Sequence, residues 1–347
     1  DVPAGTKVLG WEVRREWRVG EAYFVAPDER RYCDVREHNL HLVGYSVPFR
    51  GHVSRGELDK HLYSLPDRPH AIPYVTSYYE SRWGFCLPHR VRESLPDGEY
   101  DVVVDTELAD GSVTIAEAVL PGATDQEVFI STYTCHPSLA NNELSGPLVA
   151  AFLYRRLAAL KNRRLTFRFV FLPETIGAIA YLAQRGELLR EKMVAGYVVT
   201  CCGDAAPFTY KRSRRGDSAA DRAAIHVLRR RSTDHDGNSP GATRDARILD
   251  FFPTGSDERQ YCSPGFDLPV GSIMRSMYGT YPEYHTSDDN RDFISFAAIR
   301  ETIEVYVMTC GVLDRNQRYL NLAPNGEPQL GKRGLYPTTG AATDTAR

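Results

Sequence analysis

The 347-residue sequence contains no apolar run near the roughly 18 residues that a membrane-spanning helix needs. Its first residues lack the charged-then-apolar layout of a secretory signal peptide. Positive charge is not in excess, since the formal net charge is −3. We therefore expect a cytoplasmic protein that binds neither a membrane nor a nucleic acid. The sequence does not begin with Met, and we expect it to be a piece of a longer protein.

Cysteine is scarce, and it is not spaced for structural chemistry. The seven cysteines are odd in number, lie mostly in apolar segments and form no CxxC pair. This pattern argues against a disulfide framework and against a zinc site built from cysteines. The length and the hydrophobic content of 42% are those of a globular chain that can bury two cores.

The residue composition and the pattern of predicted elements change near residue 110. Before that point it is rich in Tyr, Trp, Pro and His, and turn signals separate short strand-like runs at 7–13, 22–25, 40–45, 74–79 and 100–105. Ser54 and Glu57 form a capping-box pattern, which predicts a helix over 54–63. We interpret residues 20–110 as a β-rich inserted domain that covers a site as a lid.

From residue 111 onward, strand and helix patterns alternate. Strands are predicted at 128–134, 165–172, 196–201, 248–252 and 268–273, and helices at 145–160, 176–189, 218–230, 256–262 and 295–313. A polar loop is predicted at 232–245. This alternation predicts an α/β fold with a doubly wound, mostly parallel sheet. Residues 1–19 and 111–320 would form this domain, and 321–347 a tail or a truncated linker.

Polar residues follow the predicted strands at the points where ligands bind in open α/β sheets. His136 ends the first strand, Glu174 ends the second, and Asp257 and His285 come from later loops. Histidine nitrogens and carboxylate oxygens from separate loops suit a zinc-class ion. The apolar strand before Glu174 can raise its pKa toward the value useful for a general base.

Several motifs together resemble the zinc aminopeptidases that carry a co-catalytic metal pair. They are the strand ending in His136, NNELSG, FLPETIG, GSDERQYCSPGFDLPV and YHTSDDN. The sequence is most similar to a divergent aminopeptidase-like branch with a β-rich insertion, of the DUF4910/DUF2172 type. The resemblance implies a zinc-exopeptidase fold and covers nearly the whole chain. It also implies that His136 and His285 are metal ligands, Glu174 the general base and Asp289 a supporting carboxylate.

The sequence departs from that pattern where the second metal would bind. Asn141 and Asn142 occupy the turn of the bridging aspartate, Thr175 replaces a ligand glutamate, and Thr200 and Cys201 stand near an expected aspartate. We therefore predict one zinc ion rather than two, held by His136, Glu143 and His285. The role of Glu143 is inferred from its position alone.

The remaining candidates have a functional interpretation and a structural one. Either Tyr284 or loop N–H groups are predicted to stabilise the oxyanion. Asn141, Asn142, Asp257 and Asp289 either support the site or are ordinary turn and helix-cap residues. One basic stretch either binds the substrate or is a solvated loop. Its arginines are Arg212, Arg214 and Arg215. One aromatic stretch either packs in the core or forms the wall of a pocket. Its residues are Tyr78, Tyr79 and Trp83.

These features favour a metal-dependent hydrolase that cleaves an amide or peptide bond in a small molecule or short peptide, with zinc as cofactor. A homo-oligomer is compatible with the sequence. The resemblance also associates the chain with biosynthesis of polysaccharides or natural products. The alternative is a non-catalytic binding protein of the aminopeptidase fold that has lost its metal pair.

Overall fold

The computed structural model describes residues 1–233, 246–317 and 319–335. The chain divides into a compact unit, Asp1–Asp314, and a second unit, Arg315–Arg347. The predicted polar loop at 232–245 falls almost entirely outside the described residues. Among the helices of the described ranges, none combines the length and apolar character that crossing a bilayer requires.

Seventeen strands occur in the described residues. They are β1 (Val2–Pro3), β2 (Lys7–Val8), β3 (Trp11–Glu12), β4 (Glu16–Val25), β5 (Arg31–Tyr32), β6 (Phe49–Ser54), β7 (Leu62–Tyr63), β8 (Phe85–Cys86), β9 (Glu99–Ala109), β10 (Ser112–Val113), β11 (Ala116–Leu120), β12 (Glu127–Tyr133), β13 (Thr166–Leu172), β14 (Met193–Val198), β15 (Thr209–Lys211), β16 (Arg247–Leu249) and β17 (Val270–Met274).

Seven α-helices accompany them in the same described ranges. They are α1 (Arg55–Leu58), α2 (His89–Ser94), α3 (Ser145–Ala158), α4 (Ile176–Lys192), α5 (Ala219–Thr233), α6 (Glu258–Tyr261) and α7 (Phe296–Arg315). A π-helical turn, Ala140–Leu144, leads directly into α3. Three short 3₁₀ helices complete the set: Asn39–His41, Asp59–His61 and Leu330–Arg333.

A seven-stranded sheet forms the centre of the fold, in the order β11-β13-β12-β14-β17-β15-β16. The pairs β12–β13, β12–β14, β14–β17 and β15–β16 are parallel, whereas β11–β13 and β15–β17 are antiparallel. All seven residues of β12 are buried. The predicted α/β class with a mostly parallel sheet is therefore confirmed.

Helices cover both faces of this sheet. Val128 and Ile130 pack with α3, α5 and α7, whereas Phe129 packs with α4 and α6. Successive side chains of a strand point to opposite faces, so an almost wholly apolar strand is expected to be covered on both sides. This arrangement leaves the carboxyl ends of β12 and β13 open for a site.

The first 110 residues build a second sheet, with the antiparallel order β5-β4-β9-β6. Its core includes Phe24, Tyr100 and Phe85. The predicted helix at 54–63 is present in part, because Ser54 accepts a hydrogen bond from Glu57 N (3.3 Å) and α1 continues into a 3₁₀ turn. The domain boundaries predicted from the sequence stay predictions.

Two predicted strands of this region are wrong. Residues 40–45 begin as part of a 3₁₀ helix, and residues 74–79 form no strand. The two segments lie side by side and share a single isolated parallel β-bridge, Gly44–Thr76, with hydrogen bonds from Gly44 N to Val75 O (2.9 Å) and from Ser77 N to Gly44 O (2.7 Å). Tyr45 has a φ of 62°, which is incompatible with a continuous ladder.

Candidate metal centre

His136 stands three residues beyond β12 and is held by a carboxylate. Its Nδ1 lies 2.9 Å from Glu143 Oε2, and Glu143 Oε1 accepts a hydrogen bond from Cys135 N. Burial of His136 lowers its pKa, but the hydrogen bond to Glu143 and the charge of Glu174 outweigh that effect and raise it. Because Glu143 engages Nδ1, the other ring nitrogen, Nε2, is left to face the site.

The π-helical turn places Glu143 and the two asparagines. Asp289 fixes this turn by accepting hydrogen bonds from Asn141 N (2.6 Å) and Asn142 N (2.9 Å). Asn141 Nδ2 donates to Asp204 Oδ2 (2.8 Å), while Asn142 Nδ2 donates to the Tyr133 hydroxyl (2.7 Å). Asn142 Oδ1 is buried without a hydrogen-bond partner. Single π-helical turns are frequent at functional sites because they turn side chains out of the regular helical register.

Glu174 follows β13 and approaches His136 from the other side. Its Oε2 lies 3.6 Å from His136 Nε2, and its side chain is 23% exposed. Burial raises the pKa of Glu174, and the nearby His136 offsets part of that rise. The next residue, Thr175, has a φ of 65° and donates its N–H to Asp257 Oδ1 (2.7 Å). Asp257 therefore holds the strained turn that carries Glu174.

His285 brings a second imidazole to the same place. The ring centroids of His136 and His285 are 5.2 Å apart, and the ring of Tyr284 stacks on His285 at 3.9 Å. His285 Nε2 is buried and has no hydrogen-bond partner. Burial, with a smaller contribution from His136, lowers the pKa of His285 to about 3. The ring is therefore neutral, the form in which imidazole binds metals.

Two neighbours of these histidines were not predicted. Tyr74 contacts both, with its ring centroid 5.3 Å from that of His136 and 5.1 Å from that of His285. Cys135 Sγ lies 3.3 Å from His136 Nδ1 and accepts a hydrogen bond from Glu174 N at 3.2 Å. The position of Cys135 between a strand end and His136 was the available signal. For Tyr74 the sequence offers none beyond an aromatic cluster.

The geometry fits a metal ion between the two imidazoles. Two imidazoles on one tetrahedral zinc ion, with bonds of about 2.0–2.1 Å, have ring centres roughly 5 Å apart. The 5.2 Å separation and the unpartnered Nε2 of His285 agree with that arrangement. The 3.6 Å gap between His136 Nε2 and Glu174 Oε2 exceeds a hydrogen bond but matches two groups around an ion.

His136, Glu174 and His285 do not form a trio whose ligand atoms all lie within 4.8 Å of one another, but a different trio in the described part of the chain does. Ligand atoms of Cys135, His136 and Glu143 lie within 4.8 Å of one another, and His285 is not part of that group. Direct hydrogen bonds account for these short distances, since Glu143 meets His136 Nδ1 at 2.9 Å. The predicted metal role of Glu143 stays a prediction.

The three arginines proposed from the sequence as substrate-binding residues all form ion pairs within the protein. Arg212 pairs with Asp250 (3.3 Å), and Arg214 and Arg215 pair with Asp267 (3.8 Å and 3.2 Å). Their role in binding a substrate stays a prediction. Lys211, which directly precedes these arginines, is fully buried on β15.

An ion pair explains how Lys211 can be buried. Its Nζ lies 2.8 Å from the buried Glu258 carboxylate and 3.9 Å from the centre of the Phe252 ring. Asp257 precedes Glu258, so this pair fixes the start of α6 beside the site.

Together, the sheet order and the site at the ends of β12 and β13 define an α/β protein of the zinc-exopeptidase fold. A zinc aminopeptidase of Bacillus subtilis, BSAP, superimposes over 88% of this chain and 86% of its own, with a TM-score of 0.61 and 11% identity. A peptidase M28 precursor of Shewanella amazonensis gives a TM-score of 0.58 at 13% identity over 90% of this chain and 84% of its own. At such identities these likenesses concern the fold.

The chain belongs to the DUF4910 family, described as a domain of unknown function, whose model matches residues 1–316. A winged helix-turn-helix model matches residues 317–347. A Clostridium acetobutylicum protein, provisionally described as a polysaccharide biosynthesis protein with an aminopeptidase-like domain, is 40% identical over 99% of this chain and 76% of its own. A crystal structure from that organism, provisionally described as a peptidase, gives a TM-score of 0.87 at 40% identity over 96% and 76% of the chains.

Proposed function

We propose that this protein is a zinc-dependent hydrolase that cleaves an amide or peptide bond in a small molecule or short peptide. The observation that carries the proposal is the pair of imidazoles, 5.2 Å apart, with a buried and unpartnered Nε2 on His285. The Nε2 atoms of His136 and His285 would hold the ion. When bound, zinc supplies a polarised water and a Lewis acid for the carbonyl.

The chain's own residues would carry the protons and the charge. Glu174 lies 3.6 Å from His136 Nε2, and its raised pKa suits a base that accepts a proton from water and returns it to the leaving amine. Burial keeps the pKa of Tyr284 above its usual value, so its hydroxyl remains a donor for the oxyanion. Glu143 would orient His136 through Nδ1.

The departures from the metal-pair pattern support a single ion. The side-chain amide of Asn141 donates a hydrogen bond to Asp204, and that of Asn142 donates one to Tyr133. A neutral amide is a poorer partner than a carboxylate for a second divalent ion. The same two residues favour the alternative function, a binding protein of this fold that holds no catalytic metal.

Metal analysis of protein purified without added metal tests the proposal. We expect about one zinc ion per chain, lost in His136→Ala and His285→Ala but kept in His52→Ala, a control for an exposed histidine. Glu174→Gln should keep zinc and lose about a hundredfold or more of the rate on a panel of aminoacyl p-nitroanilides. Wild-type protein without zinc after any metal treatment would instead support the binding protein.

A further inference from the structure

A cleft of about 670 Å³ is lined in part by chain neighbours of the candidate metal centre. Its lining includes Thr134 and Pro173, which immediately precede Cys135 and Glu174 in the chain. The opposite wall comes from the N-terminal segment and the β-rich region, through Arg14, Tyr45 and Tyr78. We call it the Arg14 cleft. A molecule that reaches Glu174 from this side would lie against these side chains.

Aromatic rings hold the guanidinium of Arg14 in place. Its Cζ lies 5.1 Å from the ring centre of Tyr78 and 5.9 Å from that of Tyr79. Tyr45 packs edge-on against Tyr78 with centroids 4.7 Å apart, and Trp17 stacks on Tyr45 at 5.7 Å. A guanidinium that lies over a ring keeps its N–H edge free for a planar anion.

The acidic groups around the cleft are already paired. Glu16 binds Arg18 (3.1 Å), Glu80 binds Arg82 (3.1 Å), and Asp110 binds Arg15 (3.1 Å). Among the residues that the structure describes, no carboxylate lies within ion-pair distance of Arg14.

One further acid, Glu12, lines a neighbouring groove that also includes Arg14, but not the Arg14 cleft itself. The cleft therefore presents a positive charge that no carboxylate of its own lining neutralises, next to a surface of tyrosine rings.

We propose that the Arg14 cleft binds the carboxylate of the substrate, whose ring or apolar portion packs on Tyr45 and Tyr78. The inference rests on the proposed hydrolase function and narrows its substrate class to carboxylate-bearing amides. The planar fork of arginine matches a carboxylate bidentately. Burial raises the pKa of Tyr45 and of Tyr78, so both hydroxyls stay protonated as hydrogen-bond donors.

Binding of a matched pair of probes to metal-stripped protein tests the inference. Hydrocinnamate carries a ring and a carboxylate, and hydrocinnamide is its neutral counterpart. For wild-type protein we expect the acid to bind at least about fivefold more tightly than the amide in a titration followed by saturation-transfer NMR. The expected difference is modest because the guanidinium of Arg14 is exposed. Arg14→Gln should remove that preference, Arg14→Lys should restore part of it, and Arg30→Gln, at an exposed arginine that does not line the cleft, should leave it intact.

Equal binding of the two probes to the wild type, or an unchanged preference in Arg14→Gln with native circular dichroism, would overturn the assignment. Because the protein is stripped of metal, a failure of the proposed hydrolysis does not affect this result. If the acid binds only after zinc is restored, and binds Arg14→Gln equally well, the carboxylate sits on the ion. That result would contradict the proposed carboxylate site in the Arg14 cleft but would support the proposed metal centre.

Discussion

Both carboxylate oxygens of Glu143 are engaged in hydrogen bonds, one with Cys135 N and one with His136 Nδ1. A carboxylate in that position fixes the orientation of the imidazole and increases its basicity toward a metal. The sequence predicted the importance of this residue from its place in a turn. Which atom it would meet was not predictable, because the π-helical register that turns it toward His136 has no simple sequence signal.

Glu143→Gln distinguishes the two roles. If Glu143 orients His136, the amide should weaken zinc binding by about 10- to 100-fold without abolishing it. Competition with a chromogenic chelator measures the affinity, and Glu304→Gln, which alters an exposed pair with Arg156, is the control. A loss as complete as that of His136→Ala would instead assign Glu143 to the ion itself.

Single residues also show where sequence reasoning ends. His136, Glu174 and His285 could be predicted as site residues because each follows a recognisable strand or lies in a motif. Tyr74 and Arg14 could not, since Tyr74 belongs to the region interpreted as a β-rich inserted domain and Arg14 to the N-terminal segment just before that region. Their roles depend on how that region folds back against the sheet ends.

At the scale of elements, the strong apolar strands and the long amphipathic helices were predicted well. The strand predicted at 165–172 is β13 (Thr166–Leu172), and the last helix predicted at 295–313 is α7 (Phe296–Arg315). The three-residue strand β15 was missed because its Lys211 resembles a loop residue. Only the tertiary partner Glu258 makes that lysine compatible with a buried position.

Two helical glycines should respond in opposite ways to the same change. A Cβ at Gly146, in the first turn of α3, would collide with Val199 O and lie 2.6 Å from Thr132 Oγ1. We expect Gly146→Ala to lower the free energy of unfolding by roughly 1–3 kcal/mol, since backbone cannot move aside cheaply.

Gly311, in α7, has nothing within 4 Å of its ideal Cβ. Gly311→Ala should raise the free energy of unfolding by about 0.5–1 kcal/mol, because alanine favours the helix. Urea denaturation of both variants measures the two changes. A Gly146→Ala protein as stable as the wild type would show that α3 does not need so close an approach to the sheet.

At the scale of the whole molecule, the β-rich region is joined to the site by several contacts. Tyr74 N donates to His285 O (2.8 Å), Ser287 N donates to Ile72 O (2.8 Å), and Arg68 pairs with Asp288. The region therefore supplies part of the wall around His285. Residues Asp1–Asp314 accordingly form one compact unit.

We expect residues 1–314 to unfold in one cooperative transition. All three tryptophans, Trp11, Trp17 and Trp83, lie in the first 110 residues, whereas the long helices follow residue 144. Tryptophan fluorescence and far-ultraviolet circular dichroism of metal-free protein should therefore give coincident urea midpoints. Two separated midpoints would mean that the β-rich region opens independently of the sheet.

The contact of Tyr74 with both imidazoles has a consequence for the order in which the site can form. Tyr74 leaves the ribosome early and His285 more than two hundred residues later, so the pocket between the rings cannot close until almost all of the unit has been synthesised. A nascent chain that ends before His285 contains His136 and Glu174 but lacks the second imidazole of the candidate centre. We therefore expect the proposed metal ion to bind only after nearly all of residues 1–314 have been synthesised.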